Sequence, residues 1–215
     1  MAWSPSGEHI ALSSYEGVQL VGVRGGDARL LVRAVNRDDP DLFERPRVLG
    51  WSAGGRAVLY QWHGYERCGA VEAYDVETGR VTTVLASGPG GAELGPAAVS
   101  ADGRTLAFSW HPHPGGRSWL LAVASIERGS AANIRDVTAG DVESSFAGWS
   151  PDGRYLAYHA GINETGGTWL YDLKNGTRHL LPWSCAGRFP MWGDDGTIYF
   201  MVIDGHLLAL KPLLP

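Results

Sequence analysis

A chain of 215 residues, 44% of them hydrophobic, can bury a sizeable core and lacks the charge-rich, aromatic-poor composition of disordered segments. Its net charge of −5 argues against a nucleic-acid partner, because binding a phosphate backbone needs a basic face that displaces condensed counterions. No run of about 18 apolar residues is present to form a membrane-spanning helix, and Met1-Ala2-Trp3-Ser4-Pro5 has neither the basic start nor the hydrophobic stretch of an export signal.

The chain therefore reads as cytoplasmic as written and as exported if a segment precedes it, so no compartment is assigned. A repeat that already begins at residue 3 suggests an upstream part. Cys68 and Cys185 are too few for a disulfide framework and lack the paired spacing of a structural zinc site, so two unpaired thiols are expected and no cofactor or metal is implied.

Taken in chain order, one pattern recurs five times. It opens at Trp3-Ser4-Pro5-Ser6-Gly7, followed by a strand-like run His9-Ile10-Ala11-Leu12, a second at 18–23 and a turn at Gly25-Gly26. The next copy starts at Trp51-Ser52-Ala53-Gly54-Gly55 and continues through Ala57-Val58-Leu59-Tyr60, a strand at 71–76, the turn Glu77-Thr78-Gly79 and a strand at 81–85. The third begins at Val99-Ser100-Ala101-Asp102-Gly103 and runs through Thr105-Leu106-Ala107-Phe108, a strand at 119–123 and the turn Glu127-Arg128-Gly129. In the fourth, Trp149-Ser150-Pro151-Asp152-Gly153 leads to Tyr155-Leu156-Ala157-Tyr158, a strand at 169–173, the turn Lys174-Asn175-Gly176 and a strand at 178–181. The fifth, Trp192-Gly193-Asp194-Asp195-Gly196, leads to Ile198-Tyr199-Phe200 and a strand at 206–210.

The anchors lie 48, 48, 50 and 43 residues apart, the spacing of propeller blades. Within each anchor motif Pro presets φ, Asp favours the turn and the glycine takes the positive φ that closes a hairpin. No segment keeps a helical period for ten residues. The expected fold is all-β, one domain over residues 1–215: a β-propeller of five antiparallel blades, the last lacking its outer strand, either self-contained or part of a larger propeller or polypeptide. The anchor aromatics Trp3, Trp51, Trp149 and Trp192 are expected between blades. The apolar last strand, at 206–210, presents an unpaired edge that could mediate self-association.

The run Trp149-Ser150-Pro151-Asp152-Gly153-Arg154-Tyr155-Leu156-Ala157-Tyr158 resembles the repeat of the TolB-like propellers, the WD-repeat-like group with a Ser-Pro-Asp-Gly hairpin. The resemblance spans the whole chain. The fourth copy carries the full motif; the second lacks its Pro and Asp, and the third its Trp and Pro. Similar blades serve periplasmic scaffold proteins, sensor domains and the gating propellers of prolyl-oligopeptidase-like enzymes, so the resemblance implies a fold more than an activity.

Some apparent chemistry has a simpler account. Gly50-Trp51-Ser52-Ala53-Gly54 fits the nucleophile-elbow pattern but falls on the hairpin, with no helix to follow. Asp102, Asp152 and Asp195 could suggest the paired carboxylates of a glycosidase, yet each occupies the equivalent turn position, where Asp is favoured for geometry. The sequons at Asn163 and Asn175 matter only in a eukaryotic secretory protein.

The second-to-third strand connections of the middle three copies are longer and richer: 61–68, 109–117 and 159–167. Antiparallel order brings them to one face. They carry Trp62, His63, Tyr65, Trp110, His111, His113, His159 and Asn163, the expected contact residues, because rigid aromatics bury large area at small entropic cost. His111-Pro112-His113 lacks an Asp or Cys at ligand spacing, so no metal is assigned. The expected function is a non-catalytic binding, scaffold or sensor module for a protein, a peptide or a carbohydrate. The competing expectations are a glycosidase- or lyase-like enzyme and the gating propeller of a peptidase.

Overall fold

The computed structural model describes residues 1–35, 44–64, 68–87, 93–111, 119–138, 144–160, 167–181, 187–202 and 207–212. Among them the chain forms strands and turns and no helix. The first meander is β1 (Ala2–Trp3), β2 (His9–Ser13), β3 (Gly17–Gly22) and β4 (Arg29–Arg33). The second is β5 (Arg45–Trp51), β6 (Ala57–His63), β7 (Cys68–Asp75) and β8 (Val81–Leu85), and the third β9 (Glu93–Val99), β10 (Thr105–His111), β11 (Leu120–Glu127) and β12 (Ser130–Asp136). Then come β13 (Ser144–Trp149), β14 (Tyr155–Ala160), β15 (Gly167–Asp172) and β16 (Arg178–Leu180), and last β17 (Gly187–Trp192), β18 (Ile198–Val202) and β19 (Leu207–Leu210). Each meander is antiparallel in chain order; a single bridge, Cys68 to Leu94, joins the second to the third.

The hairpins form as the repeat predicts. Gly7, Gly55, Gly103, Gly153 and Gly196 have φ between 70 and 79°, and each donates its amide to the carbonyl three residues earlier. The serine after the anchor closes the turn from within. The hydroxyls of Ser4, Ser52, Ser100 and Ser150 accept the amides of His9, Ala57, Thr105 and Tyr155 at 2.8–3.0 Å.

The core is divided into four layers, each shared by two consecutive meanders. Ala11, Val18, Leu20 and Val32 of the first meet Val48, Trp51, Val58 and Tyr60 of the second. Leu59, Val71 and Val84 then meet Leu94, Leu106 and Phe108. Ala107, Leu121 and Val123 face Leu156, Tyr158 and Tyr171, while Ala157, Leu170 and Leu181 face Ile198. Because side chains alternate across a strand, Val58, Leu59 and Tyr60 serve two layers in turn. This explains why the strands read as continuous apolar runs and not as alternating ones.

Polar groups tie the layers together. The Trp51 indole Nε1 donates to the Ala2 carbonyl and that of Trp149 to the Ala98 carbonyl, both at 3.2 Å; in each case the acceptor precedes the anchor of the preceding blade. Gln61, fully buried, donates to Gly69 and Gly95 and accepts from the Ala97 amide. Trp3 departs from its expected place between blades. It is 57% exposed, because no sheet covers the outer side of the first meander among the described residues. No comparable layer joins β1–β4 to β17–β19 among them.

The connections expected to be long are partly strand. β6 runs on through His63, β7 starts at Cys68, and β10 and β14 extend to His111 and Ala160, because these residues find pairing partners on neighbouring strands.

A Cβ on Gly103 would lie 2.4 Å from the Ala53 nitrogen and the Trp51 carbonyl oxygen, whereas one on Gly153 would meet open space. Gly153→Ala should therefore cost about 1–2 kcal/mol for the left-handed backbone alone, and Gly103→Ala clearly more. Equal losses in urea unfolding would contradict the blade-to-blade contact.

Candidate functional site

The strand order sends the anchor hairpin turns to one face and the turn after β2, with the ends of β6, β10 and β14, to the other. On that second face lies a cleft of about 710 Å³ between the first two blades, lined by Ser13, Ser14, Tyr15, Arg47, His63 and their neighbours. Alternation along Arg45-Pro46-Arg47-Val48 builds one wall. Pro46 and Val48 are buried, which leaves Arg45 and Arg47 on the exposed side of β5. The opposite wall is the turn after β2, fixed by the Ser14 hydroxyl, which accepts the Glu16 amide and donates to the Gly17 carbonyl. The Val48 amide donates to the Ser13 hydroxyl at 2.9 Å and ties the walls together. The Arg45 guanidinium stacks 4.3 Å above the centroid of the exposed Tyr15 ring.

His63 ends β6 beside this cleft, opposite Arg45 in register. Its Nδ1 lies 3.5 Å from the Cys68 sulfur, and its Nε2 is buried without a hydrogen-bond partner. Burial, and after it the charge of Arg47, holds the imidazole below the usual histidine range. Burial also pushes the Cys68 thiol up, with Arg47 opposing. At neutral pH the pair is an uncharged imidazole beside a protonated thiol.

The other sequence-predicted residues fall in different settings. Trp62 is half-buried on the first layer; its indole and the Tyr60 hydroxyl both donate to one Glu72 carboxylate oxygen, at 2.9 and 2.6 Å. Trp110, packed one layer further on, donates to Asp136 at 3.0 Å. His111 is buried, edge-on to Trp119 at 5.3 Å. His159 is half-buried in β14. Tyr65, His113 and Asn163 lie outside the described residues, as does Cys185. The structure thus brings His63 to the cleft and separates Trp62 from Trp110 by a blade. Sequence reasoning missed Tyr15, Arg45 and Arg47, whose one signal was the apolar-cationic alternation at the start of β5.

On the hairpin face, the turn residues are engaged in turn chemistry. Asp102 and Asp152 accept the Ser100 and Ser150 hydroxyls and the Arg104 and Arg154 amides. Asp195 accepts both the amide and the hydroxyl of Thr197, and its carboxyl is held below the usual range by the hydroxyl first. Among the described residues, no group of three or more His, Cys, Asp or Glu side chains could hold a metal ion, and no helix is long and apolar enough to cross a membrane.

The sequence matches no protein-family model and no curated protein. Solved structures are similar in fold. A TolB from Agrobacterium tumefaciens superimposes with a TM-score of 0.61 at 22% identity over 93% of this chain and 65% of its own. The fold is that of the TolB-like β-propellers. A TolB from Acinetobacter baumannii gives 0.58 at 16% identity, over 96% of this chain and 53% of its own. A puromycin-hydrolysing peptidase from Mycobacterium tuberculosis gives 0.59 at 14%, over 94% of this chain and 36% of its own. This chain therefore spans about half to two thirds of the length of the two TolB proteins.

With its pKa depressed, His63 stays neutral in the folded chain where the unfolded chain takes up a proton, below about pH 6.5. Its contribution to stability is present above that pH and is lost as pH falls through the folded value. His63→Gln should narrow the gap between urea midpoints measured at pH 7 and pH 5. An unchanged gap would mean that His63 is not buried as described.

Proposed function

We propose that this chain is a non-catalytic TolB-like propeller module that binds a protein or peptide on its loop-bearing face, centred on the cleft between the first two blades. The cleft itself carries the reading. It lies within the volume range of ligand sites, combines an exposed aromatic ring with two guanidinium groups, and sits on the face where β6, β10 and β14 end, the strands that precede Tyr65, His113 and Asn163 in sequence. Trp62 and Trp110 frame that face from half-buried positions.

Binding without turnover fits the same residues. The Ser52 hydroxyl accepts a backbone amide inside its hairpin, and Asp102, Asp152 and Asp195 are hydrogen-bonded within their turns, so these groups serve structure instead of nucleophilic or acid–base chemistry. A carbohydrate is the competing ligand on the same face.

Peptides selected from a random library against the chain should protect residues 13–15, 45–48 and 61–63 from hydrogen exchange. Tyr15→Ala should weaken the selected peptides by about 2 kcal/mol, the size of a hot-spot truncation, without moving the unfolding midpoint. Protection on the hairpin-turn face, or selection of no peptide while oligosaccharides bind, would overturn the reading.

A further inference from the structure

We propose that Asn175 is a self-modifying residue: its side-chain amide is lost to attack by the backbone nitrogen of Gly176, and the turn that joins β15 to β16 supplies the groups that promote the loss. The triplet Asn175-Gly176-Thr177 is exposed in that turn, at the edge of the fourth blade. The Asn175 Oδ1 accepts two hydrogen bonds, from the Thr177 amide at 2.9 Å and from the Thr177 hydroxyl at 2.7 Å. The amide bond decides which end of the side chain faces Thr177, since only the oxygen accepts from an N–H. A hydroxyl carries one proton, so Thr177 gives it to Asn175 and accepts in turn from the Nε2–H of His179 at 3.2 Å.

Two donors on a carbonyl oxygen stabilise the negative charge it takes up when its carbon is attacked, and a donor that itself accepts a hydrogen bond is polarised further. His179 is thus a positioning residue that acts through Thr177. Glycine next in the chain places no Cβ beside the attacking nitrogen. The chemistry balances with water alone. The Gly176 nitrogen gives up its proton and attacks Asn175 Cγ; the new C–N bond closes a cyclic imide as the Cγ–Nδ2 bond breaks, and Nδ2 leaves as ammonia with that proton. Water then adds to either imide carbonyl and leaves aspartate or isoaspartate. One contact holds the reaction back: the Gly176 amide donates to the Asp172 carbonyl at 2.8 Å, so the nitrogen is released only when the turn opens. The Thr177 contacts do not depend on that bond. β16, a short strand exposed along its length, is the kind of edge element that opens locally without global unfolding. Isoaspartate adds a backbone methylene, which the Gly176-to-Asp172 bond and the pairing of Tyr171 with Arg178 cannot absorb, so the product keeps β16 detached.

The test incubates the whole chain and the free peptide 172–179 side by side in warm neutral buffer. Mass spectrometry of proteolytic fragments reads the replacement of the Asn175 amide by a carboxyl. Both should convert, the chain more slowly because of the Gly176-to-Asp172 bond. Asn133, followed by the branched Ile134 and donating its amide to Ser125 and Glu127, should stay intact over the same time. Thr177→Val should slow conversion in the chain about fivefold, the worth of one ordinary hydrogen bond, and Thr177→Ser should restore it. His179→Ala should slow the chain that has Thr177 and change nothing further in Thr177→Val. Unmoved urea midpoints show that these variants fold. NMR should find the β15–β16 cross-strand contacts before conversion and not in the isoaspartate product.

An Asn175 that stays intact in the folded chain over many half-times of the peptide, or conversion at Asn133 first, overturns the proposal. Thr177→Val converting as fast as the unaltered chain overturns the part assigned to the turn. Conversion only at urea concentrations that unfold the whole chain overturns the gating by β16, and cross-strand contacts that persist in the isoaspartate product overturn its detachment.

Discussion

A four-stranded meander with apolar side chains on both faces cannot bury either face by itself. Every other feature of this structure follows from that constraint. Val58, Leu59 and Tyr60 are consecutive and all essentially inaccessible, which a sheet permits only if another sheet packs on each side. Burying a side chain of this kind stabilises by roughly 1.5–3 kcal/mol, so most of the stability lies between blades and only hairpin closure lies within them. The indole-to-carbonyl bonds from Trp51 and Trp149 and the Gln61 bridge are polar struts set in these layers. They fix how one blade sits on the next, a job that apolar packing does less specifically.

The same geometry decides where recognition can occur. Hairpin turns consume their own polar groups: the serine hydroxyls cap amides, and the aspartates hold the turn. On the opposite face Ser14 closes the turn after β2 in the same way, and the strand ends beside it lie outside any turn. Where β5 enters the sheet, alternation sends Pro46 and Val48 inward and Arg45 and Arg47 outward, and the neighbouring turn places Tyr15 beneath a guanidinium. A rim cleft is therefore a by-product of blade stacking, and its chemistry is set by the few side chains that alternation leaves outward.

Much of this was legible in the sequence. The five glycines that end the anchor motifs announced positive φ, and the strand at 81–85 was read with its observed ends. Trp62 and Trp110, both named as contact residues, occupy equivalent places: each donates to an acidic residue and packs toward the preceding blade. What remained hidden depends on contacts between repeats. Trp3 matches Trp51 in the motif and differs only in having no described sheet beside it, which no local pattern records. Arg45, Arg47 and Tyr15 lie far apart along the chain or in a turn short enough to look featureless, and only the packing of the first blade on the second brings them together. The enlarged connections looked like loops through His63, His111 and Ala160 because strand pairing with a partner in register overrides polar composition at a strand end.

The claim that layers between blades hold the molecule is tested most directly by hydrogen exchange at the tryptophan indole N–H groups, followed by NMR on ¹⁵N-labelled protein. Trp51 and Trp149, whose indoles donate into the preceding blade, should exchange only through large-scale opening and so show strong protection, while Trp3 should exchange nearly as fast as a free indole. Indoles of Trp51 and Trp149 that exchange as fast as that of Trp3 in the folded protein would contradict the account.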